Sequence, residues 1–318
     1  MKAALVAIVV LLLALPLGTM RAEAETFDCQ RPSTPLARLI CGDAVLRTAD
    51  AEENEIYDTA LTASLDKAAL REEERAWFAA QILPYNWFAQ QHAPIDNAEI
   101  VKTYRQRDGA LRQKTQSWRK VRHSVPGTSL ATTCIALPQQ SDNCTVAASA
   151  PIEGTSSLRY QRLTYAQPAT ASAIVIFAAE PDRRDDWLPL AVKSSKRASL
   201  SAPQAIASPA GTLILIAGNA DSGGSALYRL DQNALQDIDD RSWLETLQSH
   251  LPDGLELSPE IDADYGKMQA VATVTRSQST CCAVGGSATI EFAIEGDRIV
   301  VDGVMFGEPR DSPNDHPN

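Results

Sequence analysis

An α+β fold is predicted for this 318-residue chain: a helical N-terminal hairpin or small bundle tied by a disulfide, then a mainly antiparallel β region with at least one helix. Three observations predict it. From about Pro35 to Val121 glycine is nearly absent, while alanine, leucine and glutamate abound and apolar residues recur at three and four, the period of an amphipathic helix. Beyond Thr128, short β-rich runs alternate with turn residues. All six cysteines lie downstream of an apolar leader, which suits disulfides formed in an oxidising compartment.

The leader comes first. Lys2, the apolar run Ala3 to Leu17 and Ala22-Glu23-Ala24 read as an export signal over residues 1–24, cleaved after Ala24. About fifteen apolar residues fall short of the roughly 20 that span a bilayer, so no stable membrane span is expected after cleavage. Thr26-Phe27-Asp28 before Cys29 lacks the small residues of a lipoprotein processing site. The protein is therefore expected in the periplasm or outside the cell.

In the helical region (residues 25–123), Leu46, Ala49, Ile56, Ala60, Leu61, Leu65, Ala69, Leu70, Ala76, Trp77 and Phe78 mark the core face of one long helix or two. Pro84 and Gln91-His92-Ala93-Pro94 interrupt it. A further helix is predicted from Asp96 to Val121, capped by Asp96 or Asn97. Residues 124–128 read as a linker.

In the β-rich region (129–306), strands are predicted at Leu130 to Leu137, Cys144 to Ala148, Leu158 to Tyr165, Ser172 to Ala178, Thr212 to Ala217, Ser225 to Leu230, Gln269 to Arg276, Ala288 to Ile294 and Arg298 to Val304. Glu295-Gly296-Asp297 predicts a tight hairpin between the last two. A helix is expected from Asp239 or Asp240, with Trp243, Leu244 and Leu247 on one face and Pro252 at its end. No repeat regular enough for a propeller or solenoid is visible. The polar, proline-rich tail, residues 307–318, is expected to be disordered.

Cys29 and Cys41 could be a metal clip, a redox pair or a staple. A metal site would need two more soft ligands nearby, and the helical region offers only His92 and His123, far along the chain. A redox dithiol would normally show C-x-x-C spacing. A disulfide that ties the N-terminal segment to the first helix is the remaining reading. Cys134 and Cys144 flank a turn-rich loop, where a cross-hairpin disulfide is natural. Cys281-Cys282 leave three options open: a strained vicinal bond, separate bridges to Cys134 and Cys144, or free thiols.

Phe27-Asp28-Cys29, Ile40-Cys41, Leu46, Asp50, Tyr57, Glu74-Arg75-Ala76-Trp77, Tyr104 and Arg107 together resemble the N-terminal domain family of the lysozyme inhibitor LprI. The resemblance covers residues 27–112. It implies a small, exported, disulfide-tied helical unit, with inhibition of a lysozyme-type glycan hydrolase as the associated activity. Two departures stand out: the second cysteine pair common after the tryptophan is absent from Gln81 to His92, and there is no lipid-anchor signal. The later stretch around Trp243, Cys281-Cys282 and Gly285-Gly286 resembles uncharacterised exported bacterial domains, which imply no activity.

Elsewhere, Asp221, Ser222, Gly223, Gly224 and Ser225 form the most site-like loop, although a hairpin turn explains them more simply than a nucleophile elbow, which a helix should follow. Asp262-Ala263-Asp264-Tyr265-Gly266 lacks the glutamate and ligand spacing of a calcium loop. Asp182 to Asp186 reads as a solvated loop. Trp77, Trp87 and Trp118 are expected to pack rather than form a carbohydrate platform. No acid, base and nucleophile set emerges, and no cofactor or metal is implied.

Net charge is -11, and becomes -12 once residues 1–24 are removed. Nucleic acid is thus excluded as a natural partner, because phosphate binding needs a basic footprint. Residues 124–318 carry 13 basic and 24 acidic side chains, while residues 25–123 carry 14 and 15. Within residues 102–122 stand eight basic side chains, which either face the acidic stretch Asp43 to Glu74 across the hairpin, the preferred reading, or touch an anionic envelope surface. The resulting expectation is an exported, non-enzymatic binding protein of the bacterial envelope whose partner is a cationic protein such as lysozyme. The alternative is a ligand-binding protein or enzyme with its site in the β-rich region.

Overall fold

The computed structural model describes residues 27, 29–138, 143–166, 171–197, 199–218, 224–232, 234–240, 242–247, 251, 254–276 and 284–307. Helices come first: α1 (Pro35–Gly42), α2 (Ala44–Ala63), α3 (Lys67–Gln81), α4 (Pro84–Gln90) and α5 (Asn97–Val121). Then come β1 (Val125–Pro126), β2 (Cys144–Pro151), β3 (Leu158–Tyr165), β4 (Ser172–Glu180), β5 (Arg183–Ser195), β6 (Gln204–Ser208), β7 (Gly211–Ile216), β8 (Ala226–Asp231) and β9 (Ala234–Ile238). A short helix α6 (Ser242–Leu247) precedes β10 (Leu255–Asp264), β11 (Gln269–Arg276), β12 (Val284–Glu295) and β13 (Arg298–Gly307). The mixed α+β class and the antiparallel sheets agree with the sequence.

Capping decides where the helices break. Thr34 Oγ1 accepts from Ala37 N, Asp43 Oδ1 from Val45 N and Leu46 N, Asp66 Oδ1 from Ala69 N, and Asp96 Oδ1 from Ala98 N. Each satisfies first-turn amides that a helix leaves open. The one or two helices expected between Pro35 and Phe78 are therefore three, restarted at Asp43 and Asp66. Pro84 was expected only to interrupt; it opens α4 instead, at a position where its missing N–H costs nothing.

Three sheets follow, with strand orders β1-β5-β4-β3-β2, β6-β7-β8-β9 and β10-β11-β12-β13, every neighbour antiparallel. Each contains an up-and-down run of four strands consecutive in the chain. That recurrence of topology was not visible as a sequence repeat.

The cores stack as layers. Leu163, Ala173, Val175, Phe177 and Val192 of the first sheet meet Trp118 and Val121 of α5. From its other face Ile174, Ile176 and Ala178 meet Ile214, Ile216, Ala226 and Tyr228 of the second sheet. Leu213, Leu227 and Ile238 then meet α6 and Ala270, Ala272, Ile290 and Phe292 of the third. Both faces of β4 are covered, so its sequence SAIVIFA is buried without alternation. Strand β11 alternates instead, because only one face of the third sheet is covered.

Several expectations change. Leu130 to Leu137 is not a strand: Leu130, Ile135 and Leu137 are buried, but the backbone turns, and Gln161 Nε2 donates to the carbonyls of Leu130 and Thr133, each at 2.8 Å. An apolar run records burial, not strand pairing. Residues 124–128 include β1, whose Val125 and Pro126 pair with Trp187 and Asp186. A Cβ on Gly127 would lie 2.9 Å from Trp187 Nε1, so this close approach requires glycine. The loop read at Asp182–Asp186 is a turn that enters β5, with Glu180 opposite Arg183. Asp262 and Asp264 lie in β10; Asp264 Oδ1 accepts from Lys267 N, so the segment is a β-turn rather than an ion loop. In α6 Trp243 and Leu247 are buried while Leu244 is exposed. The Glu295–Arg298 hairpin forms as expected, with Gly296 at φ 63°.

Disulfides join Cys29 to Cys41 and Cys134 to Cys144, with Cα atoms 5.3 and 6.2 Å apart. The second bond removes the option of separate bridges from Cys134 and Cys144 to Cys281-Cys282, which themselves lie outside the described residues. So do the export signal and residues 308–318.

One buried carboxylate fastens the helical layer to the first sheet. Asp66 is 3% exposed; besides capping α3 it accepts from Ser194 N at 2.8 Å and Ser194 Oγ at 2.5 Å. Beside it, Val192 N donates to Leu65 O at 2.7 Å. Asp66→Ala is expected to lower stability by about 2 kcal/mol, because it leaves half-buried donors of Ala69 and Ser194 without this acceptor. Thermal unfolding of the variant measures this.

Candidate functional site

Polar side chains meet inside the helical layer. On α2, Asp50, Glu53 and Tyr57 lie on the face that also carries Leu46, Ile56 and Ala60, and all are buried. From α3 come Glu73, Glu74 and Trp77, and from α5 Tyr104, Arg107 and Lys114. Arg107, 6% exposed, donates from Nε and Nη2 to Glu74 Oε2 at 3.0 and 2.6 Å, and from Nη1 to Glu73 Oε1 at 2.7 Å. Lys114 Nζ meets Glu73 Oε2 at 2.7 Å. The Arg107 guanidinium lies 5.6 Å from the Trp77 ring centroid, and Trp77 packs edge-on to Tyr104 at 5.8 Å.

Protonation follows from burial. Tyr104 Oη donates to Asp50 Oδ1 at 3.0 Å, yet desolvation still pushes the Asp50 carboxyl up to about 6. Glu53 is pushed up to about 9, first by desolvation and then by the Glu74 charge, which outweigh the attraction of Arg107. Its proton is aimed at the Glu74 carboxyl, which burial itself pushes up against the pull of Arg107. Glu73 is held below the usual range by Lys114 and Arg107 despite its partial burial. The assembly is a folded-in ion network, and two of its members, Glu73 and Lys114, also line a small cavity of 50 Å³ between α3, α5 and the first sheet.

Several of these residues are ones the sequence had already singled out. Asp50, Tyr104, Trp77, Arg107 and Glu74 form a chain of contacts linking α2, α3 and α5, Tyr57 packs in the neighbouring apolar cluster with Leu61, Leu70 and Leu111, and the Cys29–Cys41 bond ties down the chain before α1. Their work is to hold helices together. The basic stretch of residues 102–122 divides accordingly: Arg107 and Lys114 turn inward to Glu73 and Glu74 as expected, whereas Arg105, Arg112, Arg119 and Lys120 are exposed.

Of the site-like loop, Asp221, Ser222 and Gly223 lie outside the described residues. Gly224 and Ser225 close the β7–β8 hairpin, and Ser225 Oγ lies within hydrogen-bond distance of Gly218. Ser225 also borders a cavity of 20 Å³ between α3 and the second sheet, with Arg71, Arg75, Asp237, Asp239 and Asp240. Arg71 crosses it to Asp237 at 2.5 Å, both side chains largely buried. Room for about one water and a filled salt bridge make this a seam between layers. Among the described residues no group of His, Cys, Asp and Glu is placed to hold a metal ion.

The open face of the third sheet is different. Register places Asp262 across from Val271 and Val271 across from Thr289, which faces Met305; one row further on, Asp264, Gln269 and Glu291 align. Glu256 and Glu295 extend the same exposed surface. Lys267 is drawn to Asp264 at 2.8 Å, and Arg298 stands opposite Glu295. The result is an exposed acidic face with threonine, valine and methionine between the carboxylates. Composition announced the negative charge of this half, and alternation along β11 and β12 was the signal that could have located it.

Together these features define a disulfide-bonded α+β protein with a closed helical layer, stacked antiparallel sheets and one exposed acidic sheet face. Compared with known proteins, this chain matches no family model, no curated protein and no solved structure. No described helix is long and apolar enough to cross a membrane.

Proposed function

We propose that the protein is an exported binding protein that works without catalysing a reaction, and that its partner is a cationic protein of the lysozyme class. The observation that carries this reading is the exposed face of β10–β13, where Glu256, Asp262, Asp264, Glu291 and Glu295 are presented on one surface. A basic partner is steered to such a surface, and charge complementarity sets its orientation. The resemblance of residues 27–112 to the LprI N-terminal domain supports the same partner class. The two disulfides accord with an exported protein.

The test mixes the chain from residue 25 with lysozyme at low salt and follows complex formation and glycan hydrolysis. A saturable complex that slows hydrolysis is expected, weakening as salt rises. Asp262→Lys with Glu291→Lys is expected to lower the association rate about tenfold. No complex and unchanged hydrolysis would remove this reading.

A further inference from the structure

Ala76 to Ile95 is a stretch of 20 residues without Asp, Glu, Lys or Arg, in a chain of which 22% is charged. Ala76, Ala79, Ala80, Leu83, Trp87 and Phe88 within it are all exposed. Their spacing of three and four carries an apolar stripe from the outer side of α3 into α4. The inward side of the same segment is occupied, since Ile82 is buried and Trp77, Phe78 and Tyr85 pack on the helical core. Leu83 is 49% exposed, Trp87 59% and Phe88 40%, and the rings of Trp87 and Phe88 meet edge to face at 5.1 Å. Clustered large apolar side chains of this kind mark a contact surface. Trp87 therefore departs from the expectation that all three helical-region tryptophans pack inside.

The chain enters beside this stripe. The ring of Phe27 lies 5.8 Å from that of Phe78, whose carbonyl accepts from both Ile82 N and Leu83 N where α4 begins. Upstream stands the apolar run Ala3 to Leu17. Residues 18–26 between them reach at most about 30 Å when fully extended.

We propose that the Ala76–Phe88 stripe is a membrane-surface contact that seats the helical end of the protein on a layer of zwitterionic lipid headgroups. Its placement rests on the export-signal reading of residues 1–24, which delivers the chain to a bilayer before cleavage after Ala24 leaves Phe27 beside the stripe; it does not depend on the acidic sheet face. Trp and Phe bury apolar rings at the headgroup boundary, and the charge-free stretch has no ion to desolvate. The absence of Lys and Arg also sets the lipid class. Anionic headgroups offer this charge-free stripe no attraction of its own, and the acidic excess of residues 124–318 disfavours them. A second copy of the chain fits less well, because these few side chains fall short of the roughly 800 Å² per partner of a stable interface.

The test uses residues 25–318, which contain every described element, with phosphatidylcholine vesicles, read by flotation and tryptophan emission. The expected result is saturable flotation with a blue shift. Trp87→Ser with Phe88→Ser should lower the bound fraction at least about tenfold while circular dichroism and thermal unfolding stay unchanged. Met305→Ser, which alters an exposed residue of β13, should float like the parent protein. Absence of flotation, stronger binding to phosphatidylglycerol than to phosphatidylcholine, or a dimer abolished by the double variant would each overturn the proposal.

Discussion

Arg107→Ala is expected to destabilise the protein by about 4 kcal/mol, read as a lowered midpoint in urea unfolding followed by helical circular dichroism. The reason is what remains behind. Arg107 binds Glu73 and Glu74 with three hydrogen bonds of 2.6 to 3.0 Å, and Glu74 presses on the buried Glu53. Removing the guanidinium leaves a carboxylate deep between α2, α3 and α5 facing another acid. Arg107→Lys should fall between, since an ammonium keeps the charge but loses the planar fork and the stacking on Trp77. Glu73→Gln should cost much less, because Glu73 is 38% exposed and water can solvate what it leaves. A loss below about 1 kcal/mol for Arg107→Ala would show that the network contributes little to folding.

The network was legible only in part. Asp50 and Glu53 fall between Ala49 and Ile56 on a stripe of otherwise apolar positions, and acids on a core face signal a buried polar cluster. Periodicity alone ranks them as tolerated exceptions, because the partner that makes burial affordable, Arg107, is 54 positions beyond Glu53 on another helix. Short-range chemistry was easier to read. Asp96, Gly296 and the Cys29–Cys41 spacing each act within twelve positions or fewer, and the structure places the cap, the turn and the disulfide where these local rules put them.

The sheets divide along the same line. Strands with strong apolar or β-branched content, such as β3, β4, β11 and β13, were visible. Strands β5, β6, β9 and β10 were not, because they mix proline, charge and alanine and depend on partners for their pairing. Pro189 sits within β5 opposite Phe177 beside a register shift, the kind of irregularity where a strand tolerates a missing donor. The Leu130–Leu137 error runs the other way: its apolar residues plug the space between α5 and the first sheet, and burial without pairing produces the same letters.

Stability should decline as pH rises from 5 to 9, by on the order of 6 kcal/mol, with the protein most stable on the mildly acidic side. Glu53 is shifted upward from 4.5 to about 9 and Asp50 from 3.8 to about 6 in the folded chain, both chiefly by desolvation. Between the unfolded and folded values the native state holds protons that the unfolded chain has released, so raising pH favours unfolding. Asp50 acts first, over roughly pH 4 to 6, and Glu53 continues to about 9. Its surroundings do not offset this: Glu74 from α3 and Asp108 from α5 add negative charge, and Arg107 is already committed to Glu73 and Glu74. Glu53→Gln keeps the shape and a donor toward Glu74 but has no proton to lose. It should therefore flatten the profile above pH 6 and stabilise the protein at pH 8 by about 2 kcal/mol. Urea midpoints of both proteins at pH 5, 7 and 9 test this, and parallel pH profiles would mean that Glu53 is ionised in the folded state.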